Sequence, residues 1–177
     1  MSGAPRLETP RLVLRAMEPR DFGAFAAMSA DPLVRRYSGD GQPRTEEESW
    51  SSFLIIAGHW PMTGYGGWAI EEKASGRFVG ELGFMDRKRD RGMPDLDGVP
   101  EMGWGVIPSV FGKGYATEAV TAALDWGKGY FGAGARVIAL TTEDNTASIR
   151  VAQKCGFREF RRGLSAGRPR LFFARIL

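Results

Sequence analysis

The sequence predicts an α/β (α+β) fold: one domain over residues 1–177, with a mixed, twisted sheet of about seven strands and helices on both faces. Three observations point there. Short β-rich runs and helical patterns are interspersed along the whole chain. A length of 177 residues suits one domain able to bury its own core. Hydrophobic residues make up 43% and charged residues 25%, close to globular averages, which excludes a disordered chain.

The elements follow in order. "RLVLRAM" (11–17) alternates as a first strand and ends near Pro19. "PRDFGAFAAMSAD" (19–31) reads as a first helix, with Pro19 and Asp21 suited to its opening turn. Thr45 and Glu48 stand at capping-box spacing and open a second helix over 45–60, punctuated by Pro61 and Gly64. "YGGWAIEE" and "RFVGELGFMD" make a hairpin around Ser75-Gly76, and the charged, Gly- and Pro-rich stretch 87–100 is a loop. "PEMGWGVI" is a fourth strand, stopped by Pro108.

The clearest helix covers 114–131: Ala116, Ala119, Val120, Ala123, Leu124 and Gly127 share one face, with Glu118, Asp125 and Lys128 opposite. "RVIALTT" is a fifth strand. "TASIRVAQKC" is a helix closed by Gly156, and "FREFRRG" and "RLFFARIL" form a final strand pair.

Composition narrows the function. No apolar run approaches the roughly 20 residues needed to cross a bilayer, and "MSGAPRLETPRLVLR" lacks a signal-peptide core. No membrane partner is expected. One cysteine, Cys155, and one histidine, His59, leave no disulfide framework and no zinc set, so no metal and a reducing, cytoplasmic setting are expected. The net charge is +3, and the densest basic stretch, "DRKRDRG", is diluted by Asp86 and Asp90 and lacks interleaved aromatics. It reads as a solvated loop rather than a nucleic-acid site.

Chemistry concentrates at "FGKGYATEAV". A strand, a glycine turn and then a helix make an anion cradle, because the first N–H groups of a helix lack partners and its dipole is positive there. Gly112 and Gly114 let main-chain amides approach a ligand, and Lys113 adds a cation. The ATP-type loop needs Lys-Ser/Thr where Lys113 meets Gly114. The dinucleotide fingerprint begun by Gly103 and Gly105 meets Pro108 instead of its third glycine. Neither nucleotide motif is complete.

"EMGWGVIPSVFGKGYATEAVTAALDWG" followed by "NTASIRVAQKCGF" resembles the two central motifs of the GNAT superfamily of acyl-CoA-dependent N-acetyltransferases. With the opening "LETPRLVLR", the likeness covers essentially the whole chain and is closest to the ribosomal-protein N-terminal acetyltransferase (RimJ/RimL-type) branch. The resemblance implies a sheet whose fourth and fifth strands splay apart, and acetyl-CoA as cosubstrate. It places the pyrophosphate on Phe111, Gly112, Lys113, Gly114, Tyr115, Ala116 and Thr117, with Phe111 standing where Gln or Arg is usual. The pantetheine arm would pair with Val106 and Ile107 and approach Asn145, which can equally be a helix N-cap. The expected partner is a small-molecule amine or a protein N-terminus, and a homodimer is left open.

Family members attack the thioester directly, so Cys155 reads as a buried structural thiol rather than a nucleophile. Glu101 is the first candidate for a general base, through water, against the alternative of a strand-end salt bridge; Glu81 is the second. Many family members carry an acid-donating tyrosine at the position of Ala152. Its absence leaves Ser148 or a water to protonate the thiolate, and keeps a non-catalytic acyl-CoA sensor as the alternative function. Glu118 is assigned to the helix dipole and His59 to capping or packing.

Overall fold

The computed structural model describes residues 3–88, 94–165 and 167–177. Its strands are β1 (Leu7–Glu8), β2 (Leu12–Arg15), β3 (Gly67–Glu72), β4 (Arg77–Met85), β5 (Glu101–Val106), β6 (Arg136–Thr141), β7 (Arg158–Ser165) and β8 (Arg168–Ile176). The helices are α1 (Phe22–Ala30), α2 (Pro32–Arg35), α3 (Glu46–Thr63), α4 (Tyr115–Phe131) and α5 (Thr146–Lys154). All eight strands form one sheet, ordered β1-β2-β3-β4-β5-β6-β8-β7. Neighbours are antiparallel except β5 and β6, which are parallel and joined through α4, because a parallel pair needs a crossover.

Sequence patterning finds its physical counterparts here. Thr45 accepts from the Glu48 N–H at 3.2 Å while Glu48 accepts from the Thr45 N–H at 2.8 Å, closing the capping box at the start of α3. α4 buries Ala119, Val120, Ala123, Leu124 and Gly127 against the sheet. A large core cluster, including Leu12, Leu14, Trp68, Phe84, Met102 and Phe173, lies on the α4–α5 side. A second cluster joins Phe25 and Met28 of α1 and Phe53 and Ile56 of α3 to Ala69, Phe78 and Met85 of the sheet. Helices therefore cover both faces.

Three details depart from the expectation. β1 adds an eighth strand, and α2 is a four-residue helix capped by Asp31; both are too short to show a period. α3 continues past Pro61 to Thr63 and stops at Gly64, whose φ is +79° and whose N–H donates to the Trp60 carbonyl. The turn is anchored on either side of the proline: before it Trp60 Nε1 donates to the Gly67 carbonyl at 2.7 Å and His59 Nε2 accepts from the Asp86 N–H, and after it Thr63 Oγ1 donates to the His59 carbonyl at 2.9 Å. Of the basic cluster, Arg87 and Lys88 are described; Arg89, Asp90 and Arg91 lie outside the described residues. Among the described residues no helix is long and apolar enough to cross a membrane.

Candidate active site

The glycine loop is built as a tight turn. Gly112 and Gly114 have φ of +75° and +79°, a left-handed backbone that side chains with a Cβ rarely adopt. Nothing lies within 4 Å of where a Cβ would stand on Gly112, so its surface is open. The first intrahelical bond of α4 runs from the Glu118 N–H to the Gly114 carbonyl, which leaves the N–H groups of Gly114, Tyr115, Ala116 and Thr117 ahead of the helical ladder. The loop is braced from behind: Arg11 donates to the Lys113 carbonyl at 2.8 Å and stacks on the Tyr115 ring, and Glu118 accepts from Thr9 and from the main chain and side chain of Arg11. Glu118 thus clasps the amino-terminal segment, a more specific role than complementing the dipole. Tyr115 donates its hydroxyl to Glu72.

Beside this loop the sheet opens. Among the described residues β5 and β6 pair only at Glu101 with Ile138, where the Ile138 N–H donates to the Pro100 carbonyl. Beyond that point the strands part. The Ile107 N–H donates to the Val79 carbonyl of β4, and antiparallel alternation then directs the main-chain groups of Trp104 and Val106 the other way, into the gap. Of the two residues expected to pair with a pantetheine arm, Val106 presents its backbone to the seam, while the Ile107 N–H is engaged by Val79; Trp104 also presents its backbone to the seam.

Two cavities meet at the seam. One, of about 430 Å³, is lined by Val106, Phe111, Gly112, Gly114, Tyr115, Ala116 and Thr117 with Asn145 and Ser148. Lys113 and Ile107 do not line it. The other, of about 340 Å³, lies toward α1 and α3 and contains Glu81, Glu101, Gly103 and Gly105. Val34, Tyr37, Ser38, Trp104, Gly105, Asn145 and Ser148 line both. A long anionic ligand on the loop and a second molecule on the far side of the sheet can therefore touch through the gap.

The two glutamates occupy different places along it. Glu101 is buried at the closed end of the seam and sits 3.5 Å from the Arg87 guanidinium. Glu81 is opposite Gly105 in the β4–β5 register, and its Oε1 is 3.9 Å from where a Gly105 Cβ would be. Among the described residues Glu81 has no hydrogen bond or ion pair. Burial pushes its carboxyl up from 4.5, against the pull of Arg87, Arg44 and Arg35.

Asn145 caps α5 by accepting from the Ser148 N–H at 3.2 Å, yet lines both cavities, so both anticipated roles are geometrically compatible. Ala152 is packed into the core and lines neither cavity, whereas Ser148 and Val151 face the gap. Tyr37, on the segment after α2, is a hydroxyl shared by both cavities that sequence reading passed over; it lies in a segment with no periodic pattern. Cys155 is buried, burial pushes its thiol up, and it lines neither cavity. His59 is held by Tyr65, Thr63 and Asp86 as a packing residue. No group of three or more candidate metal ligands occurs among the described residues.

This fold is shared with solved structures. A GnaT-family acetyltransferase from Bordetella pertussis superposes with a TM-score of 0.83 at 31% identity, covering 97% of this chain and 99% of that one. RimL, a ribosomal L7/L12 alpha-N-protein acetyltransferase solved in complex with coenzyme A, has the same fold at TM-score 0.77 and 17% identity, with 98% of each chain covered. The N-acetyltransferase YoaA of Bacillus subtilis (strain 168) is 29% identical over 157 residues, 88% of this chain and 84% of YoaA. The family model for the acetyltransferase (GNAT) domain matches residues 11–158, and the chain belongs to that family as an acetyl-CoA-dependent N-acetyltransferase.

Proposed function

We propose that the protein moves an acetyl group from acetyl-CoA to a primary amine by direct attack in a ternary complex, with Glu81 as the general base. One observation carries this reading: the cavity lined by the α4 loop and the cavity holding an unpaired, desolvated carboxylate join at the open seam. The amides of Gly114 to Thr117 fit the diphosphate of coenzyme A, and the seam-facing groups of Trp104 and Val106 fit the amides of its arm. RimL, which shares the fold, binds coenzyme A.

An amine with a pKa near 8 to 10.4 is largely protonated at neutral pH and must lose a proton before it can attack. Glu81 faces the seam beside Gly105, and its raised pKa makes it a better base than an ordinary glutamate. Glu101 is four residues further along β5, roughly 13 Å at about 3.3 Å per residue, and is engaged by Arg87. In the reaction Glu81 takes one proton from the ammonium and passes it to solvent, the freed amine nitrogen bonds to the thioester carbon, and the carbon–sulfur bond breaks. The departing thiolate takes a proton from the hydroxyl of Ser148 or Tyr37, which is restored by the second proton that the nitrogen sheds as the amide forms.

Thiol release with acetyl-CoA and a panel of amines tests the assignment. Glu81→Gln should lower kcat/KM by about 10²-fold or more. It should also remove the rise of rate with pH that sets in above 4.5 in the parent. Glu101→Gln should keep that rise. The opposite pattern would transfer the base to Glu101, and acetyl-CoA binding without turnover on any amine would sink the reaction itself.

A further inference from the structure

The cavity on the α1–α3 side is unusually rich in cations. Arg35, Arg44, Arg87 and Arg170 line it, against Glu81 and Glu101 among its described residues. The sheet and the helices do not supply them from one run of sequence: they come from α2, the segment before α3, the segment after β4, and β8.

Three of the four are committed to the protein. Arg170 donates from both terminal nitrogens, to the carbonyls of Tyr37 and Gly39, at 2.7 Å each. Arg35 donates to the Gln42 carbonyl at 3.1 Å and lies 3.7 Å from Asp40. Arg87 is the partner of Glu101.

Arg44 differs. Its side chain makes one hydrogen bond, Nη1 to Ser52 Oγ at 2.6 Å, and has no carboxylate within ion-pair distance among the described residues. A guanidinium carries five N–H donors in a fork that matches a carboxylate. Taking such a charge out of water without a counter-ion is costly, and an anion arriving in the cavity would offset that cost. Across the same cavity Glu81 is likewise unpaired, and the two do not bridge each other.

An unpaired carboxylate and an unpaired guanidinium lining one cavity are complementary to a molecule that carries an ammonium and an anion a few bonds apart. We propose that the acceptor is a small amino-acid-type amine, its amino group directed to Glu81 and its carboxylate held by Arg44. A volume of about 340 Å³ accommodates a molecule of that size. This inference rests on the acetyl-transfer reading and narrows its substrate class.

Matched acceptors test it: an α-amino acid, its carboxamide, and a peptide with a neutral second residue, each with acetyl-CoA and a thiol-release readout. The parent should favour the acid over the amide by about tenfold or more in kcat/KM, carried in KM, although the amide's amine is the less basic and more available nucleophile. Arg44→Gln should erase the preference while Arg44→Lys keeps part of it. Equal use of acid and amide, a preference for the peptide, or an equal loss on all acceptors in Arg44→Gln would overturn the proposal.

A binding measurement separates this from the reaction. Titration calorimetry of the coenzyme A-loaded protein with an N-acetyl amino acid and its amide should show the carboxylate binding about tenfold tighter, and Arg44→Gln should abolish the difference. No difference in the parent overturns the proposal. A difference with no turnover on any amine would instead count against acetyl transfer alone.

Discussion

Gly80 offers a way to move the reaction floor without touching a charged group. It pairs with Val106 across β4 and β5, and a Cβ placed on it would stand 2.9 Å from both the Cα and a methyl of Val106, and nearer still to the Gly105 carbonyl oxygen. Ordinary contact begins at 3.4 Å. Gly80→Ala must therefore push β5 away by roughly half an ångström at Val106 and further at Gly105, and backbone cannot rotate aside as a side chain can. Overpacking of this kind costs about 1–3 kcal/mol. For a chain of this size that corresponds to a fall in Tm of roughly 2–12 °C. The seam-facing groups of Trp104 and Val106 move with the strand, and a displacement approaching 1 Å at a reacting centre costs on the order of 10²-fold. Steady-state thiol release should show kcat/KM reduced about 10- to 100-fold, with melting followed in parallel. A variant that melts lower yet keeps kcat/KM within about threefold of the parent would refute the claim that the position of β5 at residues 104–106 governs the chemistry.

Two further outcomes follow from the same geometry. Burial alone would lift the Glu118 carboxyl, but the hydrogen bonds from Thr9 and Arg11 outweigh it and hold the group below 4.5. The stability this contributes is present above pH 4.5 and lost as pH falls through the lower folded-state value. Glu118→Gln should therefore cost about 1–3 kcal/mol near neutral pH, with the gap to the parent narrowing in acid denaturation curves. Ser148 and Tyr37 are the two proposed proton donors to the thiolate: whichever serves, changed to Ala or Phe respectively, should lower kcat by about 10²-fold. An acyl donor with a more acidic thiol should rescue only that variant, and two unaffected variants would assign the proton to water.

What the sequence disclosed depended on distance along the chain. The glycine turn ahead of α4 and the cap at Asn145 were legible because glycine and asparagine act on groups one to four residues away. The capping box of α3 was legible for the same reason. That Ala152 is buried in the core while Ser148 and Val151 line the cavity was not legible, since tertiary packing decides which side of a short helix turns inward. The arginine cavity was not legible at all: Arg35, Arg44 and Arg170 acquire a common surface only when β8 is laid beside β6 and Arg170 binds the segment that follows α2. Sequence shows that Glu101 shares a strand with Gly103 and Gly105, but the position of Glu81 across from Gly105 is set by strand register and was not legible.

The parting of β5 from β6 creates two raw edges in the middle of a sheet rather than at its rim. Exposed edges recruit foreign strands and promote aggregation. Here the Tyr37 segment and α5 flank the fissure and cover part of those edges. A slender, unbranched chain bearing its own amide bonds can thread it and complete the interrupted ladder.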